Sequence, residues 1–156
     1  MLGDDPGLIP AAVTELLRRF PIATSSRVVG ADMDFHGAPL KEGDMIVIPS
    51  ALHGLDDREN PDAMRVDFQR PESRHSTFGA GVHRCPGSFL ARAEIRITLE
   101  EWLKRIPDFA VKPGTQIRYR GGVVASIEAL PLLWSAAPDT ITNGTAPNSK
   151  GGTYGD

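Results

Sequence analysis

Cysteine is nearly absent from this sequence: its 156 residues include only Cys85. A single thiol cannot form an intramolecular disulfide, and it falls well short of the four ligands that a structural zinc site needs. Proteins that keep one free thiol are typical of reducing compartments. We therefore expect a cytoplasmic location, and we ask what the one thiol does.

Excess positive charge and long apolar runs are also absent. Lys and Arg number 17 against 20 Asp and Glu, which gives a net charge of −3 and argues against a general nucleic-acid binder. No apolar run approaches the ~20 residues of a membrane helix. The opening stretch MLGDDPGLIP has neither the basic nor the apolar region of a secretory signal. We expect neither nucleic acid nor a membrane as a partner.

Apolar residues at helical spacing predict two helices, over residues 10–20 and 88–106, each followed by a proline. Short strands are predicted at 27–29 and 45–48, with a tight hairpin at 34–38 and a second β region at 115–133. Residues 52–74 show no periodicity and are expected to form an ordered, turn-rich meander. The pattern predicts a mainly α fold with small β-sheets, an α+β arrangement.

The only cysteine lies in the constrained stretch FGAGVHRCPG, residues 78–87, immediately before the stronger helix. A helix N-terminus offers partial positive charge and free N–H groups, which stabilise a thiolate, and Pro86 suits a first helical turn. Glycines at 79, 81 and 87 permit positive φ or close approach of a bulky group. Haem iron needs only one axial ligand from the protein side. The alternative is that Cys85 is a buried, inert cysteine. However, the pattern F-G-x-G-x-H-x-C-x-G fixes six positions and arises by chance in far fewer than ~1 in 10⁴ chains of this size.

FGAGVHRCPG resembles the haem-binding loop of the cytochrome P450 family of haem-thiolate monooxygenases. The motif E-x-x-R at Glu15 and Arg18, and VDFQR ending at Arg70, stand in the family's order. The resemblance covers about residues 8–134 and is strongest to the family's bacterial camphor-hydroxylating branch. It implies that residues 1–134 form the C-terminal, haem-binding portion of a P450 fold, and we expect residues 135–156 to be a disordered tail.

The resemblance also implies roles for individual residues. Cys85 would be the axial ligand of haem b. The other implied roles are contacts with the haem (Arg27, His83, Phe78, Gly79 and Gly87), a buried charge network (Glu15, Arg18 and Arg70) and the substrate pocket (Ala23, Thr24, Val123 and Val124). Without the resemblance, the Glu15–Arg18 pair is a solvated surface pair and the pocket residues are strand core. The remaining histidines, His36, His53 and His75, are expected at turns or on the surface.

The implied activity is O₂-dependent hydroxylation of a small apolar substrate with electrons from a ferredoxin-type donor. The family's A/G-G-x-D/E-T motif, which belongs to the helix that crosses the distal haem face, does not occur in this sequence. We therefore expect the isolated chain to be an inactive C-terminal fragment of such an enzyme. A non-catalytic haem-binding module and an inactive truncated product remain as alternatives.

Overall fold

The computed structural model describes residues 2–135. Within that range the chain forms the helices α1 (Ile9–Arg19), α2 (Ala51–Gly54) and α3 (Ser88–Arg105), together with short strands. The strands are β1 (Thr24–Val28), β2 (Met33–Phe35), β3 (Ala38–Leu40), β4 (Met45–Pro49), β5 (Phe109–Val111), β6 (Arg118–Arg120), β7 (Ser126–Ala129) and β8 (Leu132–Trp134). This mixture of helices and small sheets confirms the predicted fold class.

Helix α1 begins one residue before the predicted start, with Pro10 in its first turn, where a missing N–H costs nothing. One face is buried and includes Ile9, Ala12 and Val13. That face packs against α3 and α2. The same face buries two charged side chains, and these organise the site described below.

The strands pair only as antiparallel couples within the described range: β1 with β4, β2 with β3, β5 with β8, and β6 with β7. The β2–β3 hairpin turns at His36 and Gly37, whose φ values of 51° and 85° are left-handed, as a tight hairpin requires. Strand β5 was not predicted from the sequence. Its three residues are too short for a periodic signal.

Residues 51–74 begin with the four-residue helix α2, which the sequence did not predict, and continue as a series of hydrogen-bonded turns. Ala63 and Asn60 are fully buried within this stretch. The meander is therefore packed against the rest of the chain and is not a solvated loop.

The stronger predicted helix is α3, which ends one residue earlier than expected. Its apolar stripe is only partly covered, since Leu90 is 63% exposed. Glu101 pairs with Arg105, and Glu100 pairs with Arg96 at 2.8 Å although Lys104 lies at the same spacing on its other side. Both arrangements are i,i+4 pairs, and spacing alone cannot choose between them.

The buried apolar core of the described residues is small: Ile9, Ala12, Val13, Val29 and Ala63. Large apolar side chains such as Phe20, Ile22, Val47 and Leu52 are exposed instead, and these four line one cleft.

None of the described helices combines the length and the apolar character needed to cross a membrane. Apart from Ser135, the predicted tail 135–156 lies outside the described residues.

Candidate functional site

A cleft of about 1120 Å³ opens beside Cys85, slightly larger than most small-molecule sites. Its walls come from the end of α1, from β1 and β4, from α2, from the loop 76–85 and from one face of α3. The apolar part of the wall includes the large side chains Leu16, Leu17, Phe20, Ile22, Val47, Ile48, Leu52 and Ile95. Six residues predicted for haem or substrate also line it: Ala23, Arg27, Phe78, Gly79, His83 and Cys85.

The loop that carries Cys85 is closed by its own backbone. The Cys85 N–H donates to the Phe78 carbonyl at 2.8 Å, and the Gly79 N–H donates to the Ser76 carbonyl at 2.8 Å. Gly79 and Gly81 have φ values of 68° and 61°, which residues with a Cβ rarely adopt. These two glycines therefore allow the chain to fold back and bring Cys85 beside Phe78.

The Cys85 thiol is exposed and lies on the cleft wall. Helix α3 begins at Ser88 with Gly87 as its N-cap, so Pro86 precedes the helix and is not in its first turn. Among the described residues, no N–H group donates a hydrogen bond to the Cys85 sulfur. The start of α3 therefore makes no hydrogen bond to the sulfur, although the sequence predicted N–H groups there that would stabilise a thiolate. Gly87 does not line the cleft, and a Cβ there would lie at an ordinary 3.7 Å from the sulfur.

The ionisable side chains described on the cleft wall include basic residues but no carboxylate. Arg27, His53 and His83 line it, and none of the described residues that line it is Asp or Glu. Arg27 is exposed and donates to its neighbour's carbonyl, that of Ser26, at 2.7 Å. An anionic group entering this cleft would meet basic side chains and no opposing carboxylate.

The two segments predicted to form the substrate pocket lie side by side. Thr24 donates its N–H to the Val123 carbonyl at 2.8 Å, and Ala23 stands opposite Val124 in an isolated antiparallel bridge. Ala23 faces the cleft, whereas Thr24, Val123 and Val124 do not line it. The structure thus brings the two segments together at one edge but places only Ala23 on the wall.

Glu15 and Arg18 form a buried ion pair one helical turn apart. The Arg18 Nε and Nη2 donate to the two Glu15 carboxylate oxygens at 2.8 Å and 2.7 Å, and both side chains are at most 1% exposed. Arg18 also donates to the Gly54, Ala63 and Arg65 carbonyls at 2.5, 2.7 and 3.0 Å. The pair therefore holds three points of the meander against α1.

Arg70 is the second cation of this network, with its Nε 3.3 Å from a Glu15 oxygen. Ser73 Oγ and the Asp67 N–H also donate to the same carboxylate, at 2.9 and 3.0 Å. Burial alone would raise the pKa of Glu15, but the hydrogen bonds from Arg18, Asp67 and Ser73 outweigh it and hold the pKa at about 2. Glu15 is therefore ionised at neutral pH despite its burial.

Sequence reasoning missed two parts of this network. Asn60 is fully buried, and its side chain bonds the Arg74 N–H at 3.0 Å and the carbonyls of His53 and Arg74 at 3.3 and 2.9 Å. Gly54 lies so close to the Arg18 carbonyl that no side chain fits between them. Both belong to a polar, turn-rich run, where composition gives no sign of burial.

His75 and Arg92 support the start of the Cys85 loop. The Arg92 guanidinium donates to His75 Nε2 at 3.2 Å and to Thr14 at 3.0 Å, and it lies 5.6 Å from the centre of the Phe78 ring. Burial, followed by the charge of Arg92, lowers the pKa of His75. His75 is thus neutral and half-buried, contrary to the surface role expected from the sequence.

Comparison with known proteins agrees with this geometry. The family model described as Cytochrome P450 matches residues 7–120. A probable cytochrome P450 127A1 from Sinorhizobium fredii is 38% identical over 135 residues, which cover 86% of this chain and 33% of that protein. The mycinamicin IV hydroxylase/epoxidase of Micromonospora griseorubida is 35% identical, covering 84% of this chain and 34% of its own length.

A solved structure, that of cytochrome P450 CYP101C1, superposes with a TM-score of 0.81 at 43% identity, covering 86% of this chain and 35% of that one. The chain spans about a third of the length of these relatives. The family match covers most of the described residues, including the loop of Cys85 and the network of Glu15. The chain belongs to the cytochrome P450 family.

Proposed function

We propose that the chain forms the haem-binding part of a haem-thiolate monooxygenase, with Cys85 as the axial ligand of the iron. The observation that carries this proposal is an exposed thiol on the wall of a large, mostly apolar cleft whose described lining residues include basic side chains and no carboxylate. No group of three or more metal-ligating side chains occurs among residues 2–135. A cofactor that needs only one protein ligand fits this donor set.

The residues of the cleft fit haem b in three respects. The volume of about 1120 Å³ is large enough for a cofactor of that size class, and the walls offer apolar surface to a flat macrocycle. Gly79 lines the cleft near Cys85, and its lack of a Cβ lets a bulky group approach the loop backbone closely. Arg27 and His83 are donors suited to the cofactor's two carboxylates.

In this proposal each residue has a defined task. Cys85 binds the iron, while Arg27 and His83 orient the cofactor through its carboxylates. Phe78, Gly79 and Gly87 shape the loop, and the network of Glu15, Arg18 and Arg70 braces the meander that supports it. Ala23, with Thr24, Val123 and Val124 at the same edge, orients an apolar substrate. When bound, the haem supplies O₂ activation and C–H oxidation, which a thiolate ligand favours.

The partners follow from this chemistry. The reaction consumes O₂ and two electrons, for which we propose a ferredoxin-type donor, and it hydroxylates a small apolar molecule. Relatives carry names as different as mycinamicin IV hydroxylase/epoxidase and steroid C26-monooxygenase, so the family name does not specify the substrate. The free thiol must stay reduced to bind iron, which supports a cytoplasmic location.

We further propose that the 156-residue chain alone does not catalyse substrate oxidation. Phe20, Ile22, Val47 and Leu52 are each at least half exposed on the cleft wall, so the cleft does not exclude water by itself. C–H oxidation by such a site needs a pocket that excludes water and fits the substrate. The chain alone should bind haem through Cys85 without forming product.

The test is a chimera in which this chain replaces the matching third of CYP101C1, assayed with the parent's own substrate, electron donors and isotopically labelled O₂. We expect labelled hydroxyl product from the chimera, none from its Cys85→Ser variant, and none from the chain alone. A chimera that binds haem and takes up electrons but forms no product would contradict the monooxygenase assignment. That result would favour the non-catalytic haem-binding module.

A further inference from the structure

His53 lies on the wall of the same cleft, although its sequence context predicts only a turn or surface position. We propose that His53 is a third basic group of the cleft, which binds a carboxylate of the molecule held there. This inference rests on the proposed function, because that function defines the cleft as the cofactor and substrate site. It adds a residue that neither the loop motif nor the E-x-x-R motif contains.

One ring nitrogen of His53 is fixed by the protein. Nδ1 lies 2.6 Å from the hydroxyl oxygen of Ser76, another residue of the cleft wall. When the Ser76 hydroxyl donates to Nδ1, the proton of the neutral ring lies on Nε2. Nε2 has no hydrogen-bond partner among residues 2–135. In that tautomer the ring has one nitrogen anchored to Ser76 and one N–H group available as a donor.

The backbone on both sides of this ring is held by buried groups. The fully buried Asn60 donates to the His53 carbonyl at 3.3 Å, and the fully buried Arg18 donates to the Gly54 carbonyl at 2.5 Å. The network that braces the meander thus also fixes where His53 stands. A side chain positioned from three directions is preorganised for binding a ligand.

Charge determines which ligand group suits His53. It shares the cleft with Arg27 and His83, and none of the described lining residues is acidic. Asp56, the acidic residue nearest in sequence, interacts electrostatically with His53, but it does not line the cleft and is paired with Arg58 at 2.6 Å. A carboxylate would accept charge-assisted hydrogen bonds from these donor side chains. The carboxylate belongs either to the haem or to a substrate.

The experiment compares two pairs of probes that differ only in a carboxylate, using the full chain. The first pair is haemin and haemin dimethyl ester, whose rates of release to an excess of apomyoglobin are measured. The second pair is decanoate and decanol, whose binding is measured by calorimetry without haem. The variants are His53→Ala and His53→Gln, where Gln keeps one donor. His36→Asn is the matched control, because His36 is an exposed turn histidine at a φ that Asn accepts.

We expect His53→Ala to accelerate haemin release about tenfold, as loss of a hydrogen bond to a charged group does, while release of the ester is unchanged. His53→Gln should recover part of the difference, and His36→Asn should match the wild type. If only decanoate binding weakens, the carboxylate is that of a substrate, and the proposal still holds.

The proposal would be overturned if His53→Ala changed haemin and its ester equally, and decanoate and decanol equally. It would also be overturned if the variant changed none of the four. In both cases the effect of the variant would not depend on a carboxylate. A misfolded variant falls in the first class, since it would lose the ester as fast as haemin. The proposed function fails by a separate result, namely a Cys85→Ser variant that binds haemin as the wild type does.

Discussion

Arg18 and Gly54 contact each other through two separate groups. The Arg18 guanidinium donates to the Gly54 carbonyl at 2.5 Å, and the Arg18 carbonyl lies where a Cβ of residue 54 would stand. Helix α2 can approach α1 this closely only because residue 54 has no side chain. These two contacts fix the start of the meander against Arg18 and α1.

Replacing Gly54 with Ala should separate the two helices, because its Cβ would lie closer to the Arg18 carbonyl than real Cβ atoms come. We expect a loss of about 1–3 kcal/mol in the free energy of unfolding, the usual cost of overpacking. Urea unfolding measures it. Gly30→Ala is the matched control, since nothing lies within 4 Å of the Cβ position there. Equal stability of the two variants would contradict the close contact.

Removing the Glu15 carboxylate should be more damaging, because Arg18 and Arg70 would keep buried charge without an anion. We expect Glu15→Ala to lower the free energy of unfolding by about 3–5 kcal/mol. The comparison is Glu101→Ala, which removes an exposed partner of Arg105 and should cost no more than about 0.5 kcal/mol. Similar losses for both variants would show that the buried network does not brace the meander.

Sequence reasoning located the parts of the site that have a fixed spacing. The loop around Cys85 and the Glu15–Arg18 pair are short motifs, and helices α1 and α3 have apolar residues at helical spacing. Asn60 and Gly54 gave no such signal, since their importance comes from carbonyls that distant residues bring to them. His53 and His75 were expected at the surface for the same reason. Burial of a polar residue depends on tertiary packing, which the local pattern around it does not encode.

Stability should fall on mild acidification through His75. Burial and Arg92 lower its pKa below the ordinary value of 6.5, so the unfolded chain takes up a proton that the folded chain does not. The free energy of unfolding should therefore decrease as the pH falls from about 7.5 to 5.5. A His75→Asn variant should lose less stability over this range than the wild type. An identical pH profile for His75→Asn would contradict a neutral His75 in the folded protein.

The most direct test of the account is the absorption spectrum of the full chain with added haemin, after reduction and binding of carbon monoxide. Thiolate ligation by Cys85 predicts a Soret band at the long-wavelength position that distinguishes a sulfur ligand from imidazole or water. In the Cys85→Ser variant the band should move to the shorter wavelength. Identical spectra for the wild type and Cys85→Ser would contradict the claim that this thiol binds haem iron.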